Sequence, residues 1–437
     1  MFPGEIKRWP EATQEGLCAV RNSLPRPGAM GKDAVGNLCD DVLGVPHGTL
    51  TLSQSDESSG LLNGSRPNPS PKVPILTDSM IRAANLITDP VLQKWFWPEG
   101  APFCVSLSHD VDEVRWSWRR RLLMGARHPR TLLEPNERYW NFEHILSLER
   151  RFGVRSSWYF VADGNHPRDP PYRLGDVEDV MRDLEKSGHE VGVHGSYLSY
   201  KDGRMLQRER DAIGAVLGHP VLGVRQHFVN FAPFITWKLQ EAAGFSYDAT
   251  LAFNGVSGFR AGICHPFSPL GHGLLEVPLM LMDGQLFRYE EFGVPEARTN
   301  CERIASEVIG RNGLLTMNWH QHTYDEYSFP GYWSVYEHML QWLLQKGARF
   351  ITGGELWRWW RARSRVEVQP GQRRQTEASW TMSAAEDISG LALRVLGVRP
   401  RTLEADTPHS IVTRGLDTFL LLPVVRAGSQ VTVTAEW

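Results

Sequence analysis

From about residue 73 the chain alternates short apolar runs with longer stretches whose apolar residues recur every three or four positions. The short runs predict strands: "FCVSLSH", "RSSWYFVA", "EVGVH", "LGVRQHF", "YDATLAF", "LLTMNWHQH" and a final "RFIT", with an extended "LLEVPLMLM" among them. The periodic stretches between them predict helices. In "NERYWNFEHILSLERRFG", Trp140, Phe142, Ile145, Leu146 and Leu148 mark one apolar side, and Gly153 is a stop signal. Strands alternating with helices predict parallel βαβ units. About seven such units predict a closed or nearly closed β/α barrel rather than a small doubly wound sheet.

The flanks read differently. Residues 1–72 are rich in Gly, Pro, Ser and Asp and read as a loosely ordered leader. The barrel segment spans 73–368, and the polar "EVQPGQRRQTEAS" reads as a connector. Residues 377–437 carry "LALRVLGV", "TFLLLPVV" and "SQVTVTAEW", which predict a small β-rich domain packed on the barrel.

Composition narrows the function classes. The 437 residues hold 47 basic and 50 acidic side chains, which leaves no nucleic-acid footprint. The 5 cysteines are scattered without CxxC spacing, which argues against a disulfide framework. No segment reads as a signal peptide or a membrane span, so the expected location is cytoplasmic. The 16 tryptophans suit a sugar site and a core equally. In "ELWRWWRARSRV" they read as core packing of the last barrel helix.

In β/α barrels functional side chains gather at the C-terminal ends of the strands. Asp110 and Asp112 end the first strand, His194 the third, and Arg225 and His227 the fourth. Asp248 lies in the fifth, and His320 and His322 end a late one. Asp110 and Asp112, two apart in an extended segment, can project to one side, one binding a metal while the other faces its water. His194, ending an apolar strand, suits zinc or a similar divalent ion. His189 precedes its strand and reads as structural. His109 and His322 alternate with stronger candidates and read as supporting groups, and Glu113 as solvated. Arg260, His265, Glu276 and Asp283 come from mid-chain, and Arg260 reads equally as a contact for an acidic or hydroxyl-rich substrate and as half of a structural ion pair.

The segments "SHDVDE", "GHEVGVHGSY", "GVRQHF", "GFSYDATL" and "LLTMNWH" occur in the order of the five motifs of polysaccharide deacetylases of the NodB-homology superfamily. The chain resembles that superfamily over roughly residues 98–360, and within it a D-x-D branch found with exopolysaccharide gene clusters. The resemblance implies a distorted (β/α)7 barrel that hydrolyses an N-acetyl group from a carbohydrate with a divalent metal, zinc first. It implies Asp110 as general base, Asp112 and His194 as metal ligands, and Arg225 as the holder of the base. It also implies Asp248 as the acid tuning the late histidine, and His320 as general acid. The family's further histidine, four residues after His194, is Leu198 here. His227 is the best replacement ligand, with Ser196, Ser199 or water as the others. Two rivals stay open: hydrolysis of a non-sugar amide, and a non-catalytic carbohydrate-binding or assembly protein with a degenerate site.

Overall fold

A computed structural model describes residues 72–74, 77, 81 and 89–437, apart from 134, 135, 163, 233, 234, 270 and 271. The leader expected over 1–72 lies outside the described residues except for its last position. Strand β1 (Val91–Lys94) comes first. Then follow β2 (Cys104–Val111), β3 (Ser156–Phe160), β4 (Glu190–Gly195), β5 (Gly223–Gln226), β6 (Tyr247–Asp248), β7 (Leu275–Glu276), β8 (Leu281–Met282), β9 (Leu314–Asn318) and β10 (Arg349–Phe350). Strands β2–β9 form one parallel sheet in the order β7-β6-β5-β4-β3-β2-β9-β8, with β10 beside β2. The fold is an α/β barrel of the distorted kind the sequence predicts.

Chain connectivity forces the curl. Strands β7 and β8 stand at opposite ends of that order, about 34 Å apart if the sheet were flat. Yet Glu276 and Leu281 are joined by a stretch that reaches at most about 18 Å when fully extended. The sheet must bend until its edges approach. The predicted single run "LLEVPLMLM" is therefore two strands, separated at Pro278, which cannot donate to a ladder.

The interior of the ring is polar and aromatic. Tyr159 and Tyr247 meet there, hydroxyls 3.1 Å apart. Glycines make their room: a Cβ on Gly192 would lie 2.8 Å from the Tyr159 ring, and one on Gly223 would lie 2.1 Å from Tyr247. Outside the ring, Glu149 of the helix Phe142–Phe152 is wholly buried. It ties that helix to β2 and β3 by accepting from Ser156 Oγ at 2.7 Å and pairing with His109 Nε2 at 3.0 Å.

Strands β11 (Val366–Arg373), β12 (Glu377–Ala384), β13 (Ile388–Leu396), β14 (Thr402–Ala405), β15 (Ser410–Arg414), β16 (Asp417–Val425) and β17 (Gln430–Glu436) build two antiparallel sheets. The predicted connector is instead the β11–β12 hairpin, with Pro370 opposite Trp380 on an edge strand that tolerates it. Strand β1 joins the other sheet, beside β13. Arg363, buried in the helix Gly353–Ser364, donates to Trp95 O at 2.7 Å and Lys94 O at 3.0 Å, which locks β1 to the barrel's last helix. Trp359 and Trp360 of that helix are buried, as core packing requires. Among the described residues no helix is long and apolar enough to cross a membrane.

The glycine vacancies should be sensitive to a single methyl. Gly223→Ala should destabilise by about 1–3 kcal/mol through overpacking against Tyr247. Gly175→Ala, where nothing lies within 4 Å of the new carbon, should leave the urea midpoint almost unchanged. Equal midpoints for both variants would contradict this packing.

Candidate metal centre

Strand alternation sorts the first motif. Ser108 and Asp110 of β2 face into the ring, while His109 faces out to Glu149 and Trp319 O. Arg225 of β5 reaches across: its Nη1 lies 2.7 Å from Ser108 Oγ, 2.9 Å from Asp110 Oδ1 and 2.9 Å from Asn318 Oδ1. Its Nε donates to Ala249 O at 2.9 Å, and its Cζ lies 4.6 Å from the Tyr159 ring centre. Asn318 Nδ2 donates to the second Asp110 oxygen at 2.8 Å, a contact the sequence reading missed. Burial pulls the Asp110 pKa upward, but Arg225, His194 and His320 outweigh it and hold the group below the usual carboxylate range. Asp110 is thus an anion gripped on both oxygens.

Asp112, one residue past β2, meets two imidazoles. Its Oδ1 lies 3.3 Å from His194 Nε2 and 3.5 Å from His227 Nε2. Ligand atoms of the three residues all fall within 4.8 Å of one another. The His194 Nδ1–H donates to Arg225 O at 2.9 Å, which fixes the tautomer and leaves Nε2 with its lone pair toward Asp112. Asp112 Oδ1 is buried and makes no hydrogen bond. A buried carboxylate oxygen facing two imidazole nitrogens is a donor set that fits a divalent cation.

His227 reaches this position through a strained turn. The next two residues, Phe228 (φ 57°) and Val229 (φ 47°), both occupy the left-handed region, which disfavours side-chain-bearing residues and β-branched ones most. Asp169 flanks the ring from the far side. Its carboxylate accepts from Tyr197 N at 2.7 Å and His166 N at 2.8 Å, and lies 4.0 Å from His227 Nδ1. His227, the expected replacement ligand, thus lies in one cluster with Asp112 and His194. Leu198 is exposed, and the alternative hydroxyls point elsewhere: Ser196 Oγ donates to buried Glu209, and Ser199 Oγ lies 2.9 Å from Gln226 Oε1.

His320 completes the mouth. Its Nδ1 lies 2.6 Å from Asp283 Oδ1 and its Nε2 lies 3.4 Å from Asp112 Oδ2. Burial lowers its pKa, but Asp283 and Asp112 together push it up to about 10. The expected carboxylate partner, Asp248, is not there. Tyr247 points into the ring, so Asp248 points out, toward the helix Thr236–Ala242. There Asp248 accepts from Thr250 N at 3.0 Å and neighbours Glu276, and burial raises both carboxyls. Thr250 Oγ1 in turn accepts from Gln226 N at 3.0 Å, so Asp248 braces the strand end that carries His227. His322 belongs to the turn Gln321–Tyr324 and packs against Tyr139 and Phe329; burial lowers its pKa to about 4. His189 accepts from Ser156 N at 3.2 Å, a structural contact. Glu113 is half-buried rather than solvated, and burial raises its pKa.

No family model matches the chain, and no curated protein does. Solved structures similar to it include a protein from Mycobacterium smegmatis named a polysaccharide deacetylase, 19% identical over 61% of this chain and 92% of that one (TM-score 0.45). An allantoinase is 14% identical over 61% and 92% (TM-score 0.46). A CE4 family pseudoenzyme from Bacillus anthracis is 10% identical over 58% and 65% (TM-score 0.35). At such distances the chemistry rests on the site's own atoms.

Two titrations follow from the site. Burial lowers the His227 pKa, but Asp112 and Asp169 push it up to about 9, so a cation must displace a proton there. Apparent affinity for Zn2+ in a chelator competition should therefore rise with pH until about 9 and flatten above it. Asp169→Asn should weaken binding about 10–100-fold, while Asp112→Ala or His194→Ala should abolish it. Undiminished affinity in His194→Ala would refute the ligand set. Separately, in the metal-free chain Asp283→Asn should drop the His320 titration from about 10 toward the free-imidazole value, as read by NMR.

Proposed function

We propose that the chain is a metal-dependent hydrolase that removes an N-acyl group, acetyl first, from a carbohydrate. The observation that carries the reading is the juxtaposition of three features: the Asp112–His194–His227 triangle, Asp110 held by Arg225 and Asn318, and His320 held by Asp283. The order of the five sequence motifs supports the same reaction. Zinc is the ion of choice. One carboxylate and two imidazoles are a donor set that suits it.

When bound, the cation supplies positive charge that polarises the acyl carbonyl and acidifies the attacking water. Asp110 accepts the water proton, since each of its oxygens keeps a lone pair beyond those engaged by Arg225 and Asn318. The new C–O bond forms as the C–N bond breaks, and the leaving nitrogen takes a proton from His320 Nε2. Asp283 accepts the Nδ1–H and keeps His320 charged at neutral pH, ready to donate. The products are a carboxylate and a free amine.

Aromatic rings around the mouth favour a sugar. Phe228 is exposed beside His227, with ring centres 4.4 Å apart, and Tyr197 stands edge-on to it at 5.6 Å. Such faces suit the C–H surface of a pyranose.

Zinc-loaded protein should release acetate from N-acetylated oligosaccharides. Asp110→Asn should keep the ion and lose about 100-fold or more in kcat. Turnover of non-sugar amides with saccharides inert would select the other hydrolase, and an ion-loaded chain inert toward both would mark a binding protein.

A further inference from the structure

The loop that leaves β2 carries a helix the sequence reading did not predict, Trp118–Arg127, only six residues beyond Asp112. Its N-cap is Ser117, whose Oγ accepts from Arg120 N. At 100° per residue, Trp118, Leu122, Ala126, Arg119, Leu123 and Arg127 fall on one contiguous half of the helix. All of them are exposed.

This helix is inverted relative to an ordinary surface helix. Trp118 is 67% exposed, Leu122 59% and Leu123 55%, while Arg120 and Arg121 on the opposite side bond Tyr139 Oη and Leu132 O. The next turn adds Leu133, 90% exposed. Gly125 lets that turn pack close, because a Cβ there would lie 2.4 Å from Leu132. Apolar side chains of this size are ordinarily buried, so a contiguous set left in water signals a partner.

Charge selects which partner. From Val114 to Leu133 there are six arginines (115, 119, 120, 121, 127 and 130) and no Asp or Glu. A second copy meeting this face by two-fold symmetry would bring arginine against arginine with nothing to neutralise them. A soluble polyanion would match the arginines and leave the leucines wet. Leucines and a tryptophan interleaved with arginines match the two layers of an anionic bilayer, acyl chains below and phosphates above.

We infer that residues 115–133 dock the protein onto an anionic lipid surface, with the helix Trp118–Arg127 lying in the plane of the interface. Because the helix follows Asp112 so directly, docking holds the mouth of the barrel beside the membrane. This reading goes beyond the hydrolase assignment and does not depend on it.

The test is co-sedimentation of the full chain with phosphatidylcholine vesicles, with and without 30% phosphatidylglycerol. Wild type should bind the anionic vesicles at least ~10-fold more tightly than the neutral ones and release at high salt. Trp118→Ser/Leu122→Ser/Leu123→Ser should weaken binding at least ~10-fold, and Arg119→Glu/Arg127→Glu should abolish the preference for anionic lipid. Far-UV circular dichroism and a thermal melt matching wild type in both variants show that they are folded, and neither readout depends on the metal site. Absence of wild-type binding, or equal binding by the triple variant, overturns the inference. So does sedimentation equilibrium showing a wild-type dimer that the triple variant breaks, which would make this face an interface between copies.

Discussion

The guanidinium of Arg225 is the fixed point of the barrel. It is buried in a ring whose strands contribute hydroxyl, carboxylate, amide and carbonyl acceptors, and it engages β2, β9 and the exit of β6 from its own place on β5. A buried charge of this kind is tolerable only when paired and hydrogen-bonded, and losing one partner of such a pair costs about 3–5 kcal/mol. The pair therefore constrains strand register as well as local charge. If β5 slipped by one residue, Arg225 would face the helices and Asp110 would be an unpaired buried anion.

Asp110, His194 and His227 are all referenced to that point. The carbonyl of Arg225 orients His194, and its guanidinium holds Asp110. Two residues on, His227 is swung into place by a turn that holds Phe228 and Val229 in the left-handed region. Strain of this kind persists only where surrounding contacts over-determine it. Here they include Thr250 against Gln226 N, and Asn230 Nδ2 donating to Tyr197 O at 3.1 Å. The carboxylates Asp112, Asp169 and Asp283 surround the imidazoles, so in the metal-free chain protons sit where a cation would otherwise balance the charge.

Much of this was legible in the chain itself because period-two alternation and the strand-end rule are short-range. They placed Asp110, Asp112, His194, Arg225, His227 and His320 on one end of one sheet. Asp248 failed because its strand is only two residues long: alternation there sends Tyr247 inward and Asp248 outward. Asp283 was the better partner for His320, and its signal was present, an aspartate closing the apolar run "LMLM" just as Asp110 closes "CVSLSH". Asn318 and Asp169 carry no signal of their own, since an amide in a strand and an aspartate in a loop are common. The helix Trp118–Arg127 was missed because arginines interrupt its apolar arc, so the sequence lacks the continuous apolar stripe of a core-facing helix. The "EVQPGQRRQTEAS" hairpin was missed because polar, proline-bearing edge strands look like linkers.

On the proposed reading the turn that follows β5, rather than the segment after His194, supplies the third metal ligand. The most direct measurement is a crystal structure of the zinc-loaded protein with anomalous data at the metal edge. One anomalous peak is expected at about 2.0–2.2 Å from Asp112 Oδ1, His194 Nε2 and His227 Nε2. A peak bound elsewhere, or bound by Asp112 and His194 with the His227 ring turned away, would contradict it.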